Sequence, residues 1–397
     1  MVNRPRSPYR PGMGTDPPYL GDREPQLRRF REYLDEPGVA HNVLVTGLRG
    51  VGKTVLLNHY RDEADQAGWL VIDREWAEAD TEPPTFARTV LADLQHLARR
   101  LSLSERVRSA AGGLAAGALD LLGGLGVSYE GVELSYRRGE RRTSPGRLDD
   151  DLRQALQQLG ELCQRSEHPG FVLRYDEFHV VEEKTGQFTL SALLSACAAV
   201  QQRGIALMLV LCGLPPILEN LARSKSYSER MFTLEHLGNL RPPEDGIALV
   251  DPARTLGRDY EAEAVEVVLR ETAGYPYFIQ LYGDLLWRGT PADLIKLTDF
   301  QRLRPEIESV LDRGFYESRY LRTTARERAV LHAIARAGEQ ATVRKIQAAS
   351  SLANNVLQPT LASLVRKGLV FRPARGAVAF SAPLFGAYLR RRGNDAV

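Results

Sequence analysis

The stretch Gly47-Leu48-Arg49-Gly50-Val51-Gly52-Lys53-Thr54 decides how the rest of this chain is read. It matches GxxxxGK[ST] in full and lies between a short apolar run, Asn42 to Thr46, and an amphipathic stretch, Lys53 to Ala67. That spacing predicts a buried strand, a glycine-rich turn and a helix, an order that lets backbone N–H groups face inward around phosphate oxygens. The helix start adds its own free N–H groups to the same anion site. Gly47 and the backbone from Arg49 through Gly50, Val51, Gly52, Lys53 and Thr54 to Val55 form the expected cradle. Lys53 supplies a point charge for the β- and γ-phosphates, and Thr54 a hydroxyl for Mg²⁺, so ATP or ADP is the expected ligand.

Further along, Phe171-Val172-Leu173-Arg174-Tyr175-Asp176-Glu177 reads as an apolar strand ending in two acids. Asp176 is expected to hold Mg²⁺ through water and Glu177 to polarise an attacking water. The competing reading is an acidic pair facing solvent. His179 is a lone histidine and reads as a surface or core residue. Arg174, a charge inside an apolar strand, either faces a crevice or pairs with an acid.

Strands at Trp69 to Asp73 and Ala206 to Leu211 alternate with helices at Thr85 to Leu101, Leu148 to Gln164 and Leu190 to Gln202. The fold class is therefore α/β, a P-loop NTPase parallel sheet sandwiched by helices. A short amphipathic helix, Glu24 to Leu34, precedes it. Residues 104–145 interrupt the alternation with a Gly/Ala helix and a hairpin around Glu130-Gly131, and read as an insertion. From about Pro242 the pattern turns helical.

The composition excludes several classes. The 397 residues carry 43% hydrophobic and 26% charged side chains, an ordinary globular balance, with a net charge of only +2. The three cysteines, Cys163, Cys197 and Cys212, sit in apolar segments without CxxC spacing, which argues against a disulfide framework or a zinc site. The N-terminus lacks an apolar core, so no secretory signal is expected. Ala110 to Val127 is apolar but short, glycine-rich and interrupted by Asp120, whereas a spanning helix needs about 20 apolar residues. No membrane contact and a cytoplasmic protein are the expectation.

The runs PYLGDRE (18–24), VTGLRGVGKTVLL, VLRYDEFH and LVLCGLPPIL, with Tyr227 to Phe232 (YSERMF) and Gly274 to Gln280 (GYPYFIQ), resemble bacterial AAA-type P-loop ATPases. The nearer resemblance is to the clade of STAND signalling ATPases and origin-recognition-type proteins, over about Pro17 to Trp287. The resemblance implies a helical lid whose Gly-x-Pro turn, Gly274 and Pro276, lies beside the base or ribose. It also implies that Arg230 contacts the γ-phosphate, from its own subunit or from a neighbour in a homo-oligomer. A solvated or salt-bridged Arg230 is the alternative. Members carry a Gly-Arg-Glu box near the N-terminus; here it reads Gly21-Asp22-Arg23-Glu24, one residue longer. Cys212 stands where many such ATPases place a polar γ-phosphate sensor, and reads instead as a packed thiol.

After Thr324, three helical patterns (to Gly338, Thr342 to Ser350, and Val356 to Lys367) precede two extended runs around Pro373 to Gly376. Three helices and a hairpin make a winged helix-turn-helix. Pro359 suggests that the third helix starts near it. Residues 319–397 hold 14 basic and 3 acidic side chains, a balance of +11, against −9 for the rest. That asymmetry is an electrostatic footprint for a phosphate backbone, and Arg344, Lys345, Arg366, Lys367, Arg372 and Arg375 are the expected contacts with double-stranded DNA. The expected organisation is an extended arm (1–20), a P-loop ATPase core (21–240), a helical lid (241–318) and a winged helix-turn-helix (319–397). An ATP-dependent, DNA-binding switch is the first expectation. A signalling or defence ATPase whose terminal domain binds a protein, and a DNA-loading or transposition helper, are the alternatives.

Overall fold

A computed structural model describes residues 6–12, 14–110, 145–183, 189–350 and 352–394. Internal packing divides the chain into two compact units. One comprises Pro25–Gly47 and Leu56–His236, the other Met1–Glu24, Leu48–Val55 and Leu237–Val397.

The first unit is built on a five-stranded sheet: β1 (Val43–Gly47), β2 (Leu70–Glu75), β3 (Phe171–Asp176), β4 (Leu207–Gly213) and β5 (Thr233–Leu237), in the order β2-β3-β4-β1-β5. β1 pairs with β4, β2 with β3 and β3 with β4, all parallel. Every residue of β1, β3 and β4 is buried, as expected for apolar runs covered on both faces. Because the strands are parallel, Gly47, Asp176 and Gly213 all end at one edge of the sheet. The helices are α1 (Glu24–Leu34), α2 (Lys53–Gln66), α3 (Pro83–Ala110), α4 (Pro145–Arg165), α5 (Thr189–Gln201), α6 (Pro216–Ser224) and α7 (Ser228–Met231). Leucines of α3, α4 and α5 close over the sheet, joined by an aromatic knot in which Trp76 lies 4.9 Å from Phe86 and 5.5 Å from Phe178.

Arg174 resolves as a cross-strand pair. It stands opposite Asp73 in the β2–β3 register and forms a salt bridge with it, so the buried guanidinium is compensated inside the sheet. β5 escaped the sequence reading because Thr233-Leu234-Glu235-His236-Leu237 has no apolar run. It is held by the Thr233 N–H donating to the Asn42 carbonyl at 2.8 Å and by a salt bridge from Arg29 to buried Glu235. The hairpin expected within 104–145 and the apolar stretch 110–127 lie outside the described residues, apart from the end of α3. Among the described residues no helix is long and apolar enough to cross a membrane.

The second unit contains α8 (Glu244–Arg254), α9 (Ala262–Thr272), α10 (Pro276–Gly289) and α11 (Leu297–Val310), with β6 (Asp259–Tyr260) beside β7 (Leu294–Ile295). A π-helical turn, Leu311–Tyr316, continues α11 into α12 (Glu317–Leu321). The boundary expected at residues 318 and 319 thus falls inside a helix. Then follow α13 (Ala325–Ala337), β8 (Gln340–Thr342), α14 (Val343–Ser350), α15 (Asn354–Arg366), β9 (Val370–Phe371), β10 (Ala377–Phe380) and α16 (Phe385–Asn394). The three strands form an antiparallel sheet in the order β8-β10-β9. The sequence reading lacked β8 and α16. It also started the third helix near Pro359, whereas α15 begins five residues earlier and carries that proline internally. The cost is the one N–H bond proline lacks, in the second turn.

The N-terminal arm is part of this unit. The Tyr9 hydroxyl donates to the Leu249 carbonyl and lies 3.0 Å from the Tyr260 hydroxyl, while the Tyr19 hydroxyl donates to Glu244 at 2.6 Å.

Thr324 caps α13 reciprocally with Glu327, whose carboxylate also accepts from Ser363 Oγ and Lys367 Nζ, each at 2.7 Å. Burial raises the Glu327 pKa, but Lys367, the Thr324 N–H and Ser363 outweigh it and bring it from 4.5 down to about 2. A depressed folded pKa stabilises above the unfolded value, and that stability is lost as pH falls through about 2. We expect the melting temperature of the wild-type protein to fall between about pH 4.5 and pH 2, with a contribution of at most about 3 kcal/mol from this group. In Glu327→Gln this component of the pH dependence should vanish; an unchanged acid profile would remove Glu327 from the account.

Candidate functional site

The glycine-rich loop leaves the buried end of β1 and enters α2 at Lys53. Gly50 and Gly52 have φ of +79° and +90°, the left-handed region that favours glycine, so the loop's turn depends on them. Lys53 is buried, and its ammonium folds back to donate to the Leu48 carbonyl at 2.8 Å. Thr54 is exposed at the start of the helix and Val55 half-buried.

Two side chains brace the loop from within the second unit. Buried Arg23 donates to the Val51 carbonyl at 3.0 Å and the Gly238 carbonyl at 3.2 Å. Burial lowers its pKa and Asp22 opposes that shift. The Tyr275 hydroxyl donates to the Arg49 carbonyl, and a Cβ added at Gly50 would overlap that hydroxyl. Tyr275 lies between the expected Gly274 and Pro276. Gly274, with φ +70°, has no room for a Cβ against the Leu240 carbonyl, and Pro276 opens α10. The Gly-x-Pro turn therefore meets the loop through its central tyrosine.

From Tyr275 an aromatic column runs onward through the same unit. Phe315 lies edge-on at 6.2 Å, Tyr316 is 5.1 Å from Phe315, and Tyr316 stacks on Phe385 at 5.4 Å and Tyr388 at 5.3 Å. The Tyr316 hydroxyl donates to the Pro383 carbonyl at 2.6 Å. The Arg319 guanidinium sits 3.5 Å over the Phe315 ring. Burial pulls its pKa down, Tyr275 raises it by charge interaction and a hydrogen bond, and the like charge of Arg49 lowers it.

At the sheet edge of the first unit, Asp176 ends β3 as a buried carboxylate accepting the Glu177 N–H at 2.7 Å. Glu177 is half-buried and left-handed, with φ 50° and ψ 24°. Arg230 is exposed on the single-turn helix α7. Cys212 is fully buried in β4, a packed thiol.

The basic candidates divide. Arg344 and Lys345 on α14, Arg366 at the end of α15, and Arg372 and Arg375 around the β9–β10 turn are exposed. Lys367 differs: its ammonium is held by Glu327 and by the Arg322 carbonyl at 3.1 Å. It belongs to the cap of α13, and the sequence alone did not disclose that bond across 40 residues. Arg390, Arg391 and Arg392 on α16 are paired with Glu339, Asp312 and Glu317.

Arg23, Tyr275 and Arg319 were not singled out from the sequence. Arg23 and Tyr275 lie inside the motif-like runs, but their targets are carbonyls, which leave no residue-type signature. Arg319 is legible only once Phe315 and Tyr275 are beside it.

Residues 21–210 match a family model described as an AAA ATPase domain, and residues 313–389 match one described as a domain of unknown function. No curated protein matches the sequence. Among solved structures, a Walker-type ATPase of Pyrococcus abyssi is similar at 16% identity and a TM-score of 0.59, covering 98% of this chain and 99% of that one. The ORC2 protein of Aeropyrum pernix, solved in ADPNP–ADP complexes, is similar at 14% identity and 0.53, covering 98% of each. At these identities the likeness concerns the fold.

Proposed function

We propose that this protein, whose residues 21–210 match an AAA ATPase domain model and form a P-loop sheet, hydrolyses ATP and is a nucleotide-controlled switch whose bound ATP or ADP sets DNA binding by a C-terminal winged helix-turn-helix. In this reading Gly47, the backbone from Arg49 to Val55, and Lys53 bind the phosphates, and Glu177 polarises the attacking water. Thr54 and Asp176 hold Mg²⁺. Among the described residues no cluster of three or more His, Cys, Asp or Glu side chains is built to hold a metal. One buried carboxylate and one hydroxyl suit Mg²⁺, which keeps waters and takes its other ligands from phosphates. Gly274 and Pro276 flank the base or ribose. Exposed Arg230 suits delivery to a neighbouring subunit's γ-phosphate in a homo-oligomer.

The observation that carries the switch is the aromatic column. Tyr275 touches the loop backbone at Arg49, and the rings continue to Phe385 and Tyr388 on α16. A change in loop conformation on phosphate binding alters the seat of Tyr275, and densely packed rings do not absorb such a shift gradually.

The winged-helix reading rests on α13, α14, α15 and the β8-β10-β9 sheet, with domain limits at 241–318 for the lid and 319–397 for the terminal domain. Arg344, Lys345, Arg366, Arg372 and Arg375 are its phosphate contacts. Duplex binding should fall with salt at a log–log slope near −0.9 per phosphate contacted, and removing one of these side chains should reduce that slope by about one. Fluorescence anisotropy with a labelled duplex, run in ATP and in ADP across a salt series, measures both. Equal affinity in the two nucleotide states would sink the switch. No binding even at low salt would move the terminal domain to a protein partner, the reading that the paired arginines of α16 favour.

A further inference from the structure

Directly behind Glu177 lies a buried histidine. The left-handed turn at Glu177 takes the chain out of β3 into a single 3-10 turn, Phe178–Val180. That turn brings the His179 ring back under the glutamate, with Nδ1 3.4 Å from Oε2. The turn that carries it is fixed from three sides. The side-chain amide of Asn220 on α6 donates to the His179 carbonyl at 3.0 Å and the Val181 carbonyl at 3.1 Å. Phe178 beside it is locked into the aromatic knot with Tyr175, at 5.7 Å. At the end of β4, Gly213 leaves space that no other residue would: a Cβ there would lie 2.9 Å from the His179 nitrogen, 3.0 Å from its Cβ and 3.2 Å from Nδ1. The histidine is thus packed into a gap made for it, its imidazole edge turned to the carboxylate.

We propose that His179 is the positioning residue for Glu177: it holds one carboxylate oxygen through Nδ1–H, leaving the other to accept a proton from the attacking water. The proposal rests on Glu177 being the residue that polarises that water. A glutamate on a short turn has freely rotating side-chain bonds, and a general base works only within hydrogen-bond reach of the proton it takes. Anchoring Oε2 removes that freedom; the 3.4 Å contact is longer than the ordinary hydrogen-bond range of about 2.7–3.2 Å, and a small rotation of the Glu177 side chain, not of the packed ring, closes it. His179 touches neither water nor nucleotide in this scheme and acts through Glu177 alone.

Two substitutions separate positioning from packing. His179→Phe keeps a buried ring and removes the donor; His179→Asn keeps an N–H close to the Nδ1 position and gives up ring volume. With the full-length chain, we expect the phenylalanine protein to melt like wild type and to lose about 10-fold or more in kcat for ATP hydrolysis, with KM changed by less than about twofold. The asparagine protein should recover most of kcat. In a Glu177→Gln background, His179→Phe should change turnover by less than about twofold, because the group it positions is gone. Wild-type kcat in His179→Phe, no recovery in folded His179→Asn, or losses that multiply in the double variant would each overturn the proposal. Wild-type turnover in Glu177→Gln alone is a different result, and overturns the role of Glu177 itself.

Discussion

Replacing Lys53 by alanine should abolish detectable ATP turnover and weaken ATP binding. The ammonium is buried and donates to the Leu48 carbonyl, which holds it against the glycine-rich loop. Phosphate oxygens that displace the Leu48 carbonyl gain a charge-assisted bond, worth about 1.5–3 kcal/mol, in a partly dehydrated setting. Losing it should raise the ATP Kd by about 10-fold or more. Turnover falls further, because charge on the transferred group grows toward the transition state, and removing one such donor costs about 10²–10³ in rate. Alanine also leaves the Leu48 carbonyl without this donor, so a small drop in melting temperature is expected beside the kinetic loss. Steady-state hydrolysis and an equilibrium titration with a fluorescent ATP analogue measure the two effects separately. Wild-type turnover in Lys53→Ala would remove the loop from the reaction.

Glu177→Gln should separate binding from chemistry. Glutamine keeps the size of the side chain and can keep one contact with His179, but it cannot take a proton. Loss of a general base costs about 10²–10⁴ in rate. ATP affinity should stay within about threefold of wild type, since a carboxylate in the proposed role of polarising water contributes to the transition state and not to ground-state binding. The variant therefore fills with ATP and holds it, and in the switch reading its DNA affinity should equal that of wild type in a non-hydrolysed analogue, even after long incubation with ATP. Rapid-quench hydrolysis and anisotropy on the same sample give both numbers. Turnover at the wild-type rate would mean that another group activates water; ATP-bound protein with the DNA affinity of the ADP state would break the link between nucleotide and terminal domain.

The parallel sheet was legible because three of its strands are buried on both faces and so are written as unbroken apolar runs, from Asn42, Phe171 and Ala206. β5 was not, because an edge strand alternates polar and apolar residues and is held by partners, Asn42 and Arg29, that are distant in sequence. The loop residues were legible because phosphate binding needs glycine and lysine at fixed spacing. Their supports were not: Arg23 and Tyr275 bond to backbone carbonyls, and any chain offers a carbonyl at every position. Lys367 shows the converse limit. Its charge was visible, its bond to Glu327 was not, and only the second determines whether it is free to meet a phosphate. Arg174 was legible as an anomaly, and its explanation needed the β2–β3 register.

The glycine-rich loop, Leu48–Val55, packs in one compact unit with Leu237–Val397 and the N-terminal arm. A dissection guided by sequence motifs would cut after the last core strand and keep the loop with its own sheet, yet the excised piece would leave behind the tyrosine seated on Gly50. The nucleotide module of this chain is therefore not a portable cassette. Grafting its C-terminal half onto another core, or exchanging it for another, replaces part of the wall that shapes the loop, so the conformation of the loop would travel with a half of the chain that lacks the GxxxxGK[ST] motif.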